Sequence, residues 1–204
     1  MRLPRFTRSS RGEPPDRAAS APAESAEHRD RRESRRAFAN EQGWHFAERA
    51  PHAIQGWPRT ALPPGPLGRV RNEVTGFHAG RPFRVFDYEV SGAEPIIVYA
   101  VGLPRHVPYV YVQDREGGAH DLFVESRDRR YALAVLGDAV RADIREGAIT
   151  DLVLDRDRLI CTGTHASPSA IVSRLDALTT LVGHITDDVW TEWGSSPDRP
   201  ALPR

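Results

Sequence analysis

Asp87 is the carboxylate whose position most calls for explanation. It lies mid-run in Val85-Phe86-Asp87-Tyr88, where the alternation predicts a strand and where Asp is disfavoured. A carboxylate among aromatics is either a pocket group or an acid held by a donor, an Arg or a turn. As a pocket group it would work with His78 or His120 as an acid–base pair. Cys161 and His165 are the nearest thing to a nucleophile and base, but Cys161 shares the alternation of Leu159, which places it in the core as an inert thiol. Asp155-x-Asp157, flanked by Arg156 and Arg158, reads as hairpin-turn chemistry and not as a cation site. Asp187-Asp188 suits the start of a new turn carrying Trp190 and Trp193 better than a helix end. The binding candidates are Asp87, Tyr88, Trp190 and Trp193.

Several chemistries have no residues to support them. All 28 cations are Arg, so there is no Schiff-base or P-loop lysine. No G-x-G-x-x-G, G-x-S-x-G or H-E-x-x-H occurs. The eight histidines include no pair at i, i+2 or i, i+4, and the single cysteine excludes a Cys-based zinc cluster or an internal disulfide framework. The expectation is no metal, no cofactor and no catalytic residue. Zero net charge over 204 residues argues against nucleic-acid binding by the folded part. No apolar run is long enough to span a bilayer and no secretory signal opens the chain, which points to the cytoplasm.

The elements that must position these residues follow from pattern. Residues 1–28 are Arg/Pro/Ala-rich and read as a disordered tail, whose Arg at positions 2, 5, 8 and 11 could touch an anionic surface. A single domain is expected over 29–194, then a Pro-rich frayed end over 195–204. Residues 28–42 read as a helix stopped by Gly43, and Trp44 to Glu48 as a strand. Residues 50–68 are an irregular, Pro-rich connection that packs down through Ile54, Trp57 and Leu62. A hairpin is expected from 70–77 and 83–90. Ile96 to Val101 reads as the central buried strand, and Tyr109 to Val112 as a separate short one beyond Pro104 and Pro108. A short strand at 121–124 precedes a helix over 127–146 capped by Ser126. Strands at 151–154 and 158–162 are joined by a turn at 155–157. A helix capped by Ser167, with Pro168 at its first position, carries the stripe Ile171, Leu175, Leu178, Leu181, Val182 and Ile185. The fold class is α+β: a mostly antiparallel sheet of about 6–8 strands with two or three helices packed on one face.

Gly43-Trp44-x-Phe46, Asn72-x-x-x-Gly76, Gly80-Arg81-x-Phe83, Val85-Phe86-Asp87-Tyr88, Leu103-Pro104, Glu125-Ser126 and Val189-Trp190 together resemble an uncharacterised actinobacterial family of small soluble proteins, itself similar to a wider bacterial domain of unknown function. The resemblance covers about 40–194 and departs at 127–135, where this chain has Arg127-Asp128-Arg129-Arg130-Tyr131. Its motifs are turn and core residues, so it implies no activity and transfers no site residues. The order of elements also resembles small secretion-chaperone-like α+β domains. Two functions remain open. One is a non-enzymatic cytoplasmic protein that binds a protein or a small ligand through strand aromatics. The other is an enzyme of unrecognised class using Asp87 with a His; a closed pocket holding both would favour it, and a filled core would not.

Overall fold

The computed structural model describes residues 26–115, 122–164 and 167–196. The tail expected over 1–28 therefore lies mostly outside the described residues, and its last three positions belong to the first helix. That helix, α1 (Ala26–Glu41), leads into β1 (His45–Arg49). A strap over 50–68 with one 3-10 turn (Arg59–Ala61) then reaches β2 (Arg69–His78) and β3 (Arg81–Glu89). The chain continues through β4 (Ile96–Asp114), β5 (Leu122–Ser126), α2 (Arg129–Val135), α3 (Asp138–Glu146), β6 (Asp151–Gly163), α4 (Pro168–His184) and α5 (Asp187–Glu192). Among the described residues the sheet has six strands, and every pairing between them is antiparallel.

The β2–β3 hairpin closes on Ala79 and Gly80 with φ of 46° and 75°. Both central residues are left-handed, as the tight hairpin turn that matches strand twist requires. β4 and β6 each run unbroken as a single strand, where two strands apiece were expected. The expected turn at 155–157 is nevertheless present. Asp151 accepts hydrogen bonds from the Thr162 N–H at 2.9 Å and the Thr162 hydroxyl at 2.7 Å, whereas a straight strand would hold those residues roughly 36 Å apart. β6 therefore doubles back, with Arg156 left-handed at φ 53°. Side-chain placement agrees: Leu152, Leu154, Leu159 and Cys161 share one face, and Val153 and Ile160 the other. β4 pairs with both arms, Val98 with Thr162 and Gln113 with Asp151, so it wraps around the β6 tip. Pro104 and Pro108 bend β4 there, and the register shifts between Gly102 and Val110, without ending the strand.

The five α-helices among the described residues all contribute to, or pack on, one face of the sheet, two more than the upper expected count. The extra ones have local causes. The helix expected over 127–146 breaks at Leu136-Gly137, where Gly137 is extended and heads α3. Asp128, not Ser126, caps α2, its carboxylate accepting from the N–H groups of Arg130 and Tyr131. Asp187 and Asp188 open α5, where acids favour the helix dipole. The helix-side core joins Val85, Ile97, Tyr99 and Val101 from the strands to Ile171, Leu175, Leu178 and Leu181 of α4. The opposite face holds a second core of Phe86, Tyr88, Val98 and Ile160. It is covered by the strap through Ala53, Ala61, Leu62, Ile54 and Trp57, so the strap does pack down.

Candidate functional site

Strand alternation sends Val85 and Asp87 of β3 toward the helices and Phe86 and Tyr88 toward the strap. Asp87 consequently meets α1, whose inward stripe is Arg35 and Ala39. Arg35 is 1% exposed and Asp87 3%. Arg35 Nη1 stands 2.8 Å from Asp87 Oδ1 and donates to the Asn72 carbonyl at 3.1 Å. The contact with Oδ1 is an ion pair without hydrogen-bond alignment, because Oδ1, Arg35 Nε and Arg35 Nη2 have no hydrogen-bond partner. Asn72 Nδ2 donates to Oδ2 at 2.8 Å. Asn72 reaches that position from a bulge in β2, left-handed at φ 49°, a conformation that Asn tolerates. Asp87 is thus held in the core by an Arg and an amide. Among the described residues no His reaches it: His78 is 2.7 Å from Asp176 of α4, and His120 lies outside the described residues.

The other sequence candidates separate by burial. Tyr88 is fully buried and its hydroxyl accepts from the Gly68 N–H at 2.7 Å, which fastens the strap's end to β3. Trp190 is a core residue whose Nε1 donates to the Ile185 carbonyl at 3.1 Å. Both side chains are packed in the interior. Trp193 is half-buried, tilted against Tyr131 at 5.9 Å, and its Nε1 donates to Asp128 Oδ2 at 3.3 Å. That bond joins the Tyr131 and Arg130 N–H bonds, the Tyr131 one foremost, in holding the Asp128 carboxyl below its ordinary range. Cys161 is buried, and desolvation pushes its thiol up to about 12; its expected companion His165 lies outside the described residues. Asp157 pairs with its neighbour Arg158 at 2.6 Å. No group of three metal-ligating side chains occurs among the described residues.

Pattern reading missed two buried ionic groups. Arg35 was hidden because α1 looks charged all round. Glu73 of β2 is 7% exposed; burial raises its carboxyl above the ordinary range, while Arg84, 2.7 Å away, lowers it in part. Arg84 also donates to the Ala53 carbonyl, so this pair pins the strap. A usable concavity lies instead where β4 bends around the β6 tip. The chain after α5 returns there: the His106 N–H donates to Ser195 at 3.0 Å and the Ser195 N–H to His106 at 2.8 Å. Behind this bridge opens a cleft of about 580 Å³ lined by His106, Val107, Pro108, Arg156, Trp193 and Ser195. It offers an indole, an imidazole and a guanidinium that forms no ion pair among the described residues. Such a lining can hold a flat or apolar group with an attached anion.

No family model matches the chain, and no curated protein does. Among solved structures, it is similar to the crystal structure of the mycobacterial trehalose monomycolate transport factor A, TtfA. The TM-score is 0.62, and the match covers 83% of this chain and 99% of that one. The two chains share a fold. Identity is 12%, so the likeness speaks for the fold alone. No helix among the described residues is long and apolar enough to cross a membrane.

Proposed function

We propose that this chain is a non-enzymatic binding protein that engages a protein or small-ligand partner through the cleft beside Trp193. The burial of Asp87 against Arg35 and Asn72 carries the reading. The acid that the sequence singled out for a catalytic pocket is held in the core by Arg35 and Asn72, it is almost fully shielded from solvent, and among the described residues no His reaches it. The fold shared with TtfA, described as a transport factor, supports an interaction role over a catalytic one. Under this proposal the chain works in the cytoplasm of an actinobacterium, as its resemblance to an actinobacterial family implies.

The test is site-specific photo-crosslinking in the host cell. A photoreactive residue at position 193 should give a discrete covalent adduct, and one at position 94, on an exposed loop, should not. Equal adducts from both positions, or none from 193, would sink the proposal. Turnover lost in Asp87→Asn at a temperature where that variant is folded would return the enzyme reading to first place.

A further inference from the structure

The nested path of β4 and β6 leaves two outer edges, β1 and β5. They are guarded differently. Glu48 of β1 meets Arg32 and Arg36 of α1 at 3.6 and 3.8 Å, and charged side chains on an edge discourage pairing. β5, Leu122-Phe123-Val124-Glu125-Ser126, is more apolar and pairs on one side only, with β4. Among the described residues no backbone group bonds its other side, so alternate N–H and C=O groups face outward. Directly beside this edge is a cleft of about 340 Å³ between β5, α2 and α3, lined by Val124, Ser126, Arg129, Ala132, Leu133, Leu136 and Arg141. Leu133 is 57% exposed, one turn from Arg129. Arg129 has no ion pair or hydrogen bond among the described residues, and Arg141 donates through Nε to the Leu136 carbonyl at 2.9 Å, leaving its outer nitrogens available. Two cations and an exposed leucine thus share one wall of an open sheet edge.

We infer that β5 accepts an extended segment of a partner protein as an added strand, with an apolar side chain in the Leu133 cleft and a carboxylate two residues away against Arg129 and Arg141. Residues two apart in a strand lie on one face, so both side chains would turn toward the cleft that Leu133, Arg129 and Arg141 line. Main-chain pairing supplies binding that is largely independent of sequence, and the cleft supplies the choice of side chains. The like charge of the two guanidiniums rejects basic segments and draws acidic ones. This rests on the reading of the chain as a binding protein, but it uses a different surface from the Trp193 cleft.

The probe is a fluorescein-labelled octapeptide, Thr-Leu-Thr-Glu-Thr-Leu-Thr-Glu, titrated against the full chain by anisotropy. Saturable binding is expected, weakened roughly tenfold or more by Arg129→Glu and by exchange of the peptide's glutamates for lysines. N-methylation of one alternate set of peptide amides should abolish binding, while methylation of the other set is tolerated. Leu133→Asp tests the cleft separately. Arg129 and Leu133 are exposed, so both variants should melt with the parent. No saturation, indifference to Arg129→Glu, or tolerance of both methylated sets overturns the inference; the last would mean simple charge attraction. Sedimentation showing self-association through β5 would assign the edge to a second copy and also overturn it. Loss of peptide binding with the position-193 adduct intact would refute this inference alone, and the reverse result would refute the Trp193 reading alone.

Discussion

Replacing Asp87 by Asn removes one charge from a nearly isosteric side chain, at a site where both carboxylate oxygens are in use. Oδ1 faces the Arg35 guanidinium and Oδ2 receives the Asn72 amide. An Asn side chain has one acceptor oxygen and one amide nitrogen. Either Asn72 or Arg35 would therefore confront a donor. Arg35, 1% exposed and with Nε and Nη2 already unpartnered, would also lose its one ion-pair partner among the described residues. Breaking a buried pair from one side costs about 3–5 kcal/mol. For a chain of this size that corresponds to a melting temperature roughly 6–20 °C lower. Urea unfolding followed by Trp fluorescence gives the free energy, and a thermal scan gives the midpoint. The deficit should persist at high salt, because a pair this deep is poorly screened. The double variant Arg35→Met, Asp87→Leu should recover much of the loss, since it removes both charges and leaves apolar volume. Asp87→Asn within about 0.5 kcal/mol of the parent would refute the account, showing that the Arg35 charge is satisfied elsewhere.

Leu178→Ala should cost about 2–5 kcal/mol, because Leu178 is completely buried between α4 and the sheet; an unchanged urea midpoint would detach α4 from the core. Arg156→Gly should leave stability level or raise it by up to about 1 kcal/mol, since Gly adopts φ 53° freely; a clear loss by calorimetry would mean that the Arg side chain holds the β6 tip. The Cys161 thiol should resist a disulfide reagent at pH 8 in the folded chain and react fully in urea. Its folded value near 12 lies above the ordinary ~8.5, so the folded state keeps a proton that the unfolded state loses. That stabilisation is complete at neutral pH and declines as pH rises from about 9 toward 12; stability that is flat over that window, measured by urea titration, would contradict the burial.

Much of this fold could be read from residue order. The alternation in Phe83 to Tyr88 gave both faces of β3, and the stripe from Ile171 to Ile185 gave α4, because each element buries one face and its period shows in the residue types. The turn at 155–157 was likewise legible from Asp and Arg clustered between apolar runs. Pairing was not. That β4 would wrap the β6 tip depends on contacts between residues far apart in sequence, and nothing local to Pro104 or Pro108 distinguishes a bend in a strand from its end. The break of the 127–146 helix had a visible cause in Gly137, yet a tolerated interior glycine carries the same signature. Ser126 and Asp128 are both good caps, and only the backbone at Asp128 decides between them.

The site residues show the same division. An inward carboxylate at Asp87 was predictable from strand parity, as was its need for a donor. Arg35 was recoverable in principle. It stands four residues before Ala39, on the stripe of α1 that faces the sheet, and a helix bordering an inward Asp has reason to place a cation there. Reading α1 by hydropathy alone hides that stripe, because an Arg counts as surface. The pairing rule is the better guide: a carboxylate on the apolar face of a strand and an Arg on the same period as a small helix residue predict each other. Trp193 illustrates the converse. It differs from Trp190 only by helical phase, three residues on, yet Trp190 enters the core and Trp193 meets the cleft at the β4 bend. That cleft exists only because residues 106 and 195 are bridged, so the chemistry at Trp193 is a product of topology and could not be assigned before the topology was known.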